Sequence, residues 1–396
     1  MSADHVLAAC VAAPADDGPR HVWGDAVGGE RGELVAVQLR LASGAGTPAE
    51  VGALLARQRA LVAAHGAAWS GLAAIAGVAS ATFRRGFVEA IAVDAETAYR
   101  QRDAIGAAAP LLAAVAVRGL GDDDADGTRN VWWASAGLVG LDLGVLAPSR
   151  IRDHMSNKQM THVEALAFTG LYQRLAYTLR STSLPHLARL TLSCSADALA
   201  DLRACLPTLD RLRALDVAVP VELADLASSL PPALRELTIR GAGGTIEASL
   251  VALARAPTAA TLEQLRLPAG ELVVDSALFA PFSALRVLDL GQTRLAPAAA
   301  RALLWQSLPA LAALRVPHPG GERGDAWLVA LAERFGARLD QLVVVGDRAA
   351  PPALASLVAG EVRTVARADA YPAFGLGGPA RSPAWEDPTF VREASA

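Results

Sequence analysis

The chain has 396 residues, a hydrophobic fraction of 53%, an aromatic fraction of only 5% and a formal net charge of −4. A core with so few aromatic rings must be built from Leu, Val and Ala, which favours thin repeated layers over one bulky centre. The near-neutral charge lacks the basic surface that binding to phosphates requires, so the sequence argues against a nucleic-acid partner. The cysteines are few and form no CxxC pair, which indicates a reducing compartment, and we expect a cytoplasmic protein.

Residues 1–87 are predicted to form a small helical module. Asp16 and Asp17 precede a helix start, where carboxylates stabilise the exposed backbone N–H groups. Apolar positions at helical spacing predict two further helices, with Leu34, Val37 and Gln38 in one and Leu54, Leu55, Leu61 and Val62 in the other. No charged residue occurs in 60–83. The high Ala and Gly content of that segment indicates packed helix and loop, and we expect no membrane span.

The charged side chains of this module leave a second function open. Arg20, Asp25 and Glu33 are candidates for a small ion-pair network, which is the structural interpretation. Asp16 and Asp17, together with Asp25 and Glu33, are the residues of an alternative hypothesis, in which the module holds an enzyme or metal-dependent site.

A strongly acidic segment is the strongest candidate for a metal site. Asp122, Asp124 and Asp126 match positions one, three and five of a calcium-binding loop. Position twelve is Trp133, where such a loop needs a bidentate Glu, so only half of the ligand set is present. A solvated acidic turn and a weak divalent-ion site are both open interpretations.

The motif L-x-x-L-x-L, tolerant of Val, Ile or Phe, recurs through the middle of the chain at intervals of 22 to 28 residues. Its copies begin at Leu112, Leu138, Val163, Leu187, Leu212, Leu234, Leu262, Leu285, Leu311 and Leu339, with an earlier copy at Val88. Within a copy, positions four and six point to one side of a short strand, and position one packs beneath them. One copy buries too little apolar surface to order its own backbone, so the copies must stack into a one-dimensional array.

The segments between these strands predict helices. Residues 196–206 and 296–308 carry Leu and Ala at helical spacing, and a proline follows each of these segments closely. The expected unit is therefore strand, turn, helix and turn. The predicted fold class is α/β, a solenoid over residues 88–346 with parallel strands on its concave face and helices on its convex face.

This stretch resembles the leucine-rich-repeat family, in the helix-containing form of ribonuclease-inhibitor-like arrays. The family usually places Asn or Cys two positions after the last strand Leu, where the side chain satisfies neighbouring backbone groups. Here these sites are Ser195, Pro220, Ala242, Gly270, Thr293 and Pro319. Because that ladder of side chains is missing, we expect irregular turns.

The order of short motifs in the N-terminal module carries a second resemblance. The run P-A-D-D-G-P-R at 14–20 is followed by R-G-E at 31–33, Q-L at 38–39 and G-F-V at 86–88. This order is similar to that of the bacterial repeat-companion domain, whose motifs run P-x-D-D-x-P-R, Y-A-D-W-L, R-G-E, Q-L and G-F-V. The segment W-G-D-A-V at 23–27 departs from the second of these. The resemblance implies association with repeats and no particular activity.

Side chains at motif positions three, five and seven should face away from the buried Leu residues and line the concave face. The candidate binding residues at these positions are Asp142, Thr191, Asp216, Glu236, Thr238, Arg240, Arg266, Asp289 and Arg315. Arg266, Asp289 and Arg315 fall on successive strands, so two interpretations are open. Either these three pair with one another and leave little for a ligand, or they belong to a recognition surface of the kind that solenoids offer.

Sequence motifs for catalysis are missing, because the chain contains no phosphate-binding loop, no H-E-x-x-H and no G-x-S-x-G. The sequence therefore predicts no enzyme and no cofactor. It favours a non-enzymatic scaffold that binds an unidentified protein partner through the concave face. A purely structural or regulatory companion protein is a further alternative. Residues 347–396, rich in Pro, Gly and Ala, are expected to cap the array and end in a loose tail.

Overall fold

The computed structural model describes residues 2–43, 46–118, 138, 140–145, 163–169, 184–193, 196–218, 224–240, 242–273 and 278–366. The chain divides into two compact units. The N-terminal unit comprises Met1–Leu146 with Arg381–Ala396, and the strand unit comprises Ala147–Ala380. Both units contain helices and strands, so the predicted α/β class is confirmed. The predicted metal ligands Asp122, Asp124 and Asp126, and the tail beyond residue 366, lie outside the described residues.

Four helices open the N-terminal unit: α1 (Ala3–Ala12), α2 (Asp17–Val27), α3 (Gly29–Ala42) and α4 (Pro48–Ser70). Helix α2 begins as predicted, because the Asp16 carboxylate accepts a hydrogen bond of 2.8 Å from the Gly18 N–H. The two further predicted helices are confirmed as α3 and α4. The sequence did not predict α1, which buries Cys10 against Phe87 and Leu111. No helix among the described residues combines the length and the apolar character that crossing a membrane requires.

A hairpin follows these helices. Strands β1 (Val78–Arg84) and β2 (Phe87–Asp94) pair antiparallel through a two-residue turn in which Arg85 and Gly86 have φ values of +48° and +87°. A positive φ at both turn residues is typical of a type I′ turn, whose backbone twist matches that of the two strands. Glycine is needed at the second position, since a Cβ atom on Gly86 would lie 2.3 Å from Cγ2 of Val35 in α3.

The rest of the N-terminal unit continues from this hairpin. It contains α5 (Ala95–Arg100), α6 (Arg102–Ala108), β3 (Ala114–Arg118) and β4 (Gly140–Val145). Strand β3 pairs in parallel with both β2 and β4. The motif copies that begin at Val88, Leu112 and Leu138 therefore all form strands, as the sequence predicts.

The strand unit contains a sheet of nine parallel strands in chain order. Its strands are β5 (Ala165–Thr169), β6 (Arg189–Ser193), β7 (Ala214–Ala218), β8 (Glu236–Arg240), β10 (Gln264–Arg266), β12 (Val287–Asp289), β14 (Ala313–Pro317), β15 (Gln341–Val345) and β16 (Glu361–Val365). Each predicted motif copy in this unit opens two residues before a strand, as Leu212 does before β7. Motif positions one, four and six are buried, for example at Leu212, Leu215 and Val217. The sheet continues through β16, beyond the predicted end of the repeat at residue 346.

Helices lie between these strands along the chain: α7 (Ala196–Cys205), α8 (Ala224–Ala227), α9 (Ile246–Arg255), α10 (Pro297–Trp305), α11 (Gly321–Phe335) and α12 (Leu354–Leu357). The predicted helices over 196–206 and 296–308 are confirmed as α7 and α10. Short 3-10 turns follow α7, α9 and α11.

Three of the turns expected to be irregular are instead short strands. Strands β9 (Ala242–Thr245), β11 (Ala269–Leu272) and β13 (Thr293–Leu295) form a second parallel sheet, with a register shift between β9 and β11. Main-chain pairing takes the place of the missing Asn side chains here, and the expected irregularity is limited to that register shift. Thr293 also satisfies a backbone group of a neighbouring turn, as the Asn of the family does. Its buried hydroxyl donates a hydrogen bond of 3.3 Å to the Pro268 carbonyl.

Candidate functional site

The candidate binding residues of the strand unit lie in one register. Along motif position five, Thr191 is opposite Asp216, Asp216 is opposite Thr238, Thr238 is opposite Arg266, Arg266 is opposite Asp289, and Asp289 is opposite Arg315. Because side chains alternate along a strand, this row shares one sheet face, as the motif predicts. Asp142 is in the N-terminal unit, where β4 places it opposite Ala116, and its side chain lies outside the described residues.

A buried ion cluster occupies the later part of this row. The Asp289 side chain is only 1% exposed, and its Oδ2 lies 2.8 Å from Nε of Arg266 and 3.3 Å from Nη1 of Arg315. Its Oδ1 accepts a hydrogen bond of 3.0 Å from the Gly291 N–H. Both carboxylate oxygens are therefore bonded, and the pairing of these three residues is what the structure shows. A buried carboxylate so fully satisfied is a structural element.

A second pair spans two strands at motif position three. Arg189 donates two hydrogen bonds, of 2.8 and 2.7 Å, to the two oxygens of Glu236. Strand β7 lies between them and contributes Ala214, whose methyl group leaves room for the arginine to cross. The side chains of Arg189 and Glu236 are 42% and 24% exposed, so this pair faces solvent more than the buried cluster does.

Asp216 is a charged group of this face whose hydrogen bonding is incomplete among the described residues. Its Oδ2 accepts a hydrogen bond from Nη2 of Arg240, whereas its Oδ1 is buried without a hydrogen-bond partner among the described residues. Burial raises the pKa of the Asp216 carboxyl, and the nearby Arg240 and Arg266 act in the opposite direction. A buried acceptor left unbonded costs about 1–3 kcal/mol, so a donor that reached this oxygen would recover that free energy.

The acidic residues of the alternative site in the N-terminal module do not converge. Asp16 caps α2, Asp17 lies 3.5 Å from Arg85, and Asp25 is exposed. Glu33 accepts two hydrogen bonds of 2.6 Å from Arg57. Within the part of the chain that the structure describes, no group of His, Cys, Asp and Glu is arranged to hold a metal ion.

The predicted network of Arg20, Asp25 and Glu33 is wrong, because Arg20 pairs with a residue far along the chain. The Arg20 side chain is buried, and its Nη1 lies 2.6 Å from Oε1 of Glu89 in β2. Its Nη2 donates to the Pro14 carbonyl at 2.7 Å. Sequence reasoning missed Glu89, although a single acidic residue within the apolar run F-V-E-A-I-A-V was the available signal.

Other motif residues of this module also have structural roles. Gln38 donates to the Phe83 carbonyl at 3.0 Å and accepts from the Gly86 N–H at 2.6 Å, which fixes the hairpin on α3. Gly32 lets α3 approach α2 closely, since a Cβ atom there would lie 2.4 Å from the Gly24 carbonyl oxygen. The motifs at 14–20, 31–33, 38–39 and 86–88 thus serve mainly to join the helices to the hairpin.

Comparison with protein-family models gives no match for this chain, and comparison with curated proteins gives none either.

Proposed function

We propose that the chain is a leucine-rich-repeat solenoid with an N-terminal module of the repeat-companion type, and that it acts as a non-enzymatic scaffold. Its partner would be another protein, bound on the concave face formed by motif positions three, five and seven. The repeat spacing and the nine parallel strands in chain order support this proposal. Arrays of this kind commonly bind partners on an extended face.

The observation that carries the proposal is Asp216, whose side chain is 14% exposed on the strand face and whose buried Oδ1 has no hydrogen-bond partner among the described residues. Thr191 and Thr238 flank it on the neighbouring strands, and both are largely buried. The site therefore combines a fixed carboxylate oxygen with two hydroxyl groups on a sheet, which is a rigid element. Its chemistry suits a donor from the partner, such as a backbone N–H, a lysine or an arginine.

Photo-crosslinking tests where a partner binds. Lysine-directed reagents are poorly suited, because Lys158 is the only lysine in the chain. A benzoylphenylalanine at Ala218, which lies opposite Arg240 on the strand face, should capture the partner from a lysate of the source cells. The same residue at exposed Ala200 on α7 is the matched control and should capture less. Capture from Ala200 alone would move the binding surface to the helices.

The affinity for that partner then tests Asp216 itself. Asp216→Asn keeps the side-chain shape but replaces one acceptor oxygen with a donor. Losing a hydrogen bond to a charged group is expected to weaken binding by about 10-fold to 150-fold. Glu263→Gln is the matched control, because Glu263 lies at motif position two, outside the proposed face, and accepts a hydrogen bond from Arg235. Equal losses in the two variants, both folded by circular dichroism, would overturn the role of Asp216.

The alternatives predict different results. A purely structural or regulatory companion would give no specific crosslink from either position. Trp305 lies at the end of α10 and is 84% exposed, so Trp305→Ala tests the helix side further. A partner that binds the helices there should lose affinity in this variant. An enzyme in the N-terminal module would lose turnover on Asp25→Asn while binding on the strand face stayed unchanged.

A further inference from the structure

Arg31 in the first turn of α3 is surrounded by aromatic rings. Its guanidinium carbon lies 4.9 Å from the ring centroid of Phe83, 5.1 Å from that of Trp69 and 5.6 Å from that of Trp23. These rings come from β1, α4 and α2, so three elements of the module meet around this one cation. Ring faces attract a cation, but they accept none of its in-plane N–H hydrogen bonds in the way a carboxylate does.

The Arg31 guanidinium also lacks an anion. Its Nη1 is buried without a hydrogen-bond partner, and no ion pair reaches Arg31 within the described ranges. Burial lowers the pKa of Arg31 to about 10. Arg57 of α4 is the opposite case. It donates two hydrogen bonds to Glu33 of α3, and these bonds raise the pKa of Arg57.

The nearest acidic residues along α3 are already engaged. Glu30 lies with its Oε2 2.8 Å from Nε2 of His65, and Glu33 bonds to Arg57. Helix α3 begins after Gly28, which provides no side-chain cap, and a cation in the first turn of a helix opposes the helix dipole. The fold thus holds Arg31 in place from three sides, and no described residue forms an ion pair with it.

We propose that Arg31 is the binding site for an oxyanion, a carboxylate or a phosphate, which hydrogen-bonds the edge of the guanidinium while Trp23, Trp69 and Phe83 cover its faces. Arginine matches such anions because its N–H groups form a planar fork. This site belongs to the N-terminal unit, and the proposal does not depend on the function proposed for the strand face. In this proposal, the Arg-Gly-Glu motif at 31–33 binds a ligand as well as joining the helices.

Site-resolved modification by phenylglyoxal tests this proposal on the wild-type chain. Phenylglyoxal condenses with the N–H groups of the guanidine, so an anion bound at the edge of Arg31 should slow the reaction there. Inorganic phosphate and acetate are added in separate series, with chloride at equal ionic strength as the reference. At an anion concentration about ten times the Kd, we expect modification of Arg31 to slow about tenfold, and that of Arg57 to stay unchanged. Mass spectrometry of the peptides measures both residues in one sample.

The two anions separate the possible sources of the ligand. Slowing by phosphate alone points to a phosphoryl group, and slowing by acetate points to a carboxylate such as an acidic side chain. Slowing by neither anion overturns the proposal and leaves Arg31 as a residue that only packs.

Thermal unfolding gives a second readout. Either anion should raise the Tm of the wild type and of Arg57→Gln above its value in chloride, whereas Arg31→Gln should lose this gain. An equal gain in all three proteins would be a general salt effect and would also overturn the proposal. Should Arg31→Gln fail to fold, the modification experiment on the wild type still decides.

Discussion

The N-terminal unit and the strand unit satisfy their buried charges in different ways. In the strand unit, Arg266, Asp289 and Arg315 hold the same motif position on three neighbouring strands, so the repeat itself brings them together. In the N-terminal unit, Arg20 reaches Glu89 across 69 residues of sequence, and no period relates the two. Charge pairs in a repeat thus follow from register, whereas those in the module depend on how its helices meet the hairpin.

The same comparison separates structural charges from candidate sites. Asp289 and Arg20 are buried beside opposite charges, so the fold accounts for their charges. Asp216 and Arg31 each keep a buried polar atom without a partner among the described residues. Oδ1 of Asp216 is an acceptor without a donor, and Nη1 of Arg31 is a donor without an acceptor. Other buried side chains also keep one such atom, Nε of Arg20 among them, so an unpaired atom alone does not mark a site. Asp216 stands out because it lies in the row at motif position five, and Arg31 because no ion pair reaches it among the described residues.

The largest effect is expected at Asp289, at the centre of the buried ion cluster. Asp289→Ala would leave two buried guanidinium groups without their carboxylate and should lower the free energy of unfolding by about 3–5 kcal/mol. Urea denaturation measures this loss. Glu236→Ala, in the more exposed pair of the same sheet, is the control and should cost about 0.2–1 kcal/mol. Similar losses for the two variants would show that burial does not distinguish these pairs.

A smaller effect is expected in the N-terminal unit. Glu89→Gln keeps an acceptor beside Arg20 but removes its negative charge, so the free energy of unfolding should fall by about 1–3 kcal/mol. Glu96→Gln breaks an exposed pair with Arg100 within α5 and should cost only about 0.2–0.5 kcal/mol. A loss at Glu89 no larger than that at Glu96 would contradict a structural role for the Arg20–Glu89 pair.

The smallest effects are two pH dependences of opposite sign. Burial raises the pKa of Asp216 in the folded state, so the folded state holds this proton more strongly than the unfolded state does. The stability of the wild type relative to Asp216→Asn should therefore fall as pH rises from the ordinary carboxyl pKa through the raised one. Hydrogen bonds from Arg57 lower the pKa of Glu33, so the wild type should lose stability relative to Glu33→Gln as pH falls through that lowered pKa.

Urea midpoints measured from about pH 2 to about pH 7 give both slopes, because the Glu33 change lies below the ordinary carboxyl pKa and the Asp216 change above it. Slopes of the same sign for the two variants would show that Asp216 is not penalised by burial. That result would remove the main reason for placing a partner at this residue.

The repeat was the predictable part of the molecule. Apolar residues such as Leu212, Leu215 and Val217 recur with a period that fixes the position of each strand and the face that each side chain occupies. The pairing of equivalent motif positions on adjacent strands follows from that period. The aromatic environment of Arg31 was not predictable, because it depends on which helix faces pack together. The domain limits at residues 87 and 346 remain predictions, as do the family resemblances.

Strand spacing in the parallel sheet has a consequence for how the strand unit forms. Paired residues on adjacent strands are separated by between 20 positions, from Gln341 to Glu361, and 28 positions, from Glu236 to Gln264. Closing each new loop therefore costs nearly the same entropy wherever along the sheet it occurs. Folding can spread strand by strand from a nucleus at any point, and shortening the sheet from β16 should reduce its cooperativity in steps rather than abolish it at once.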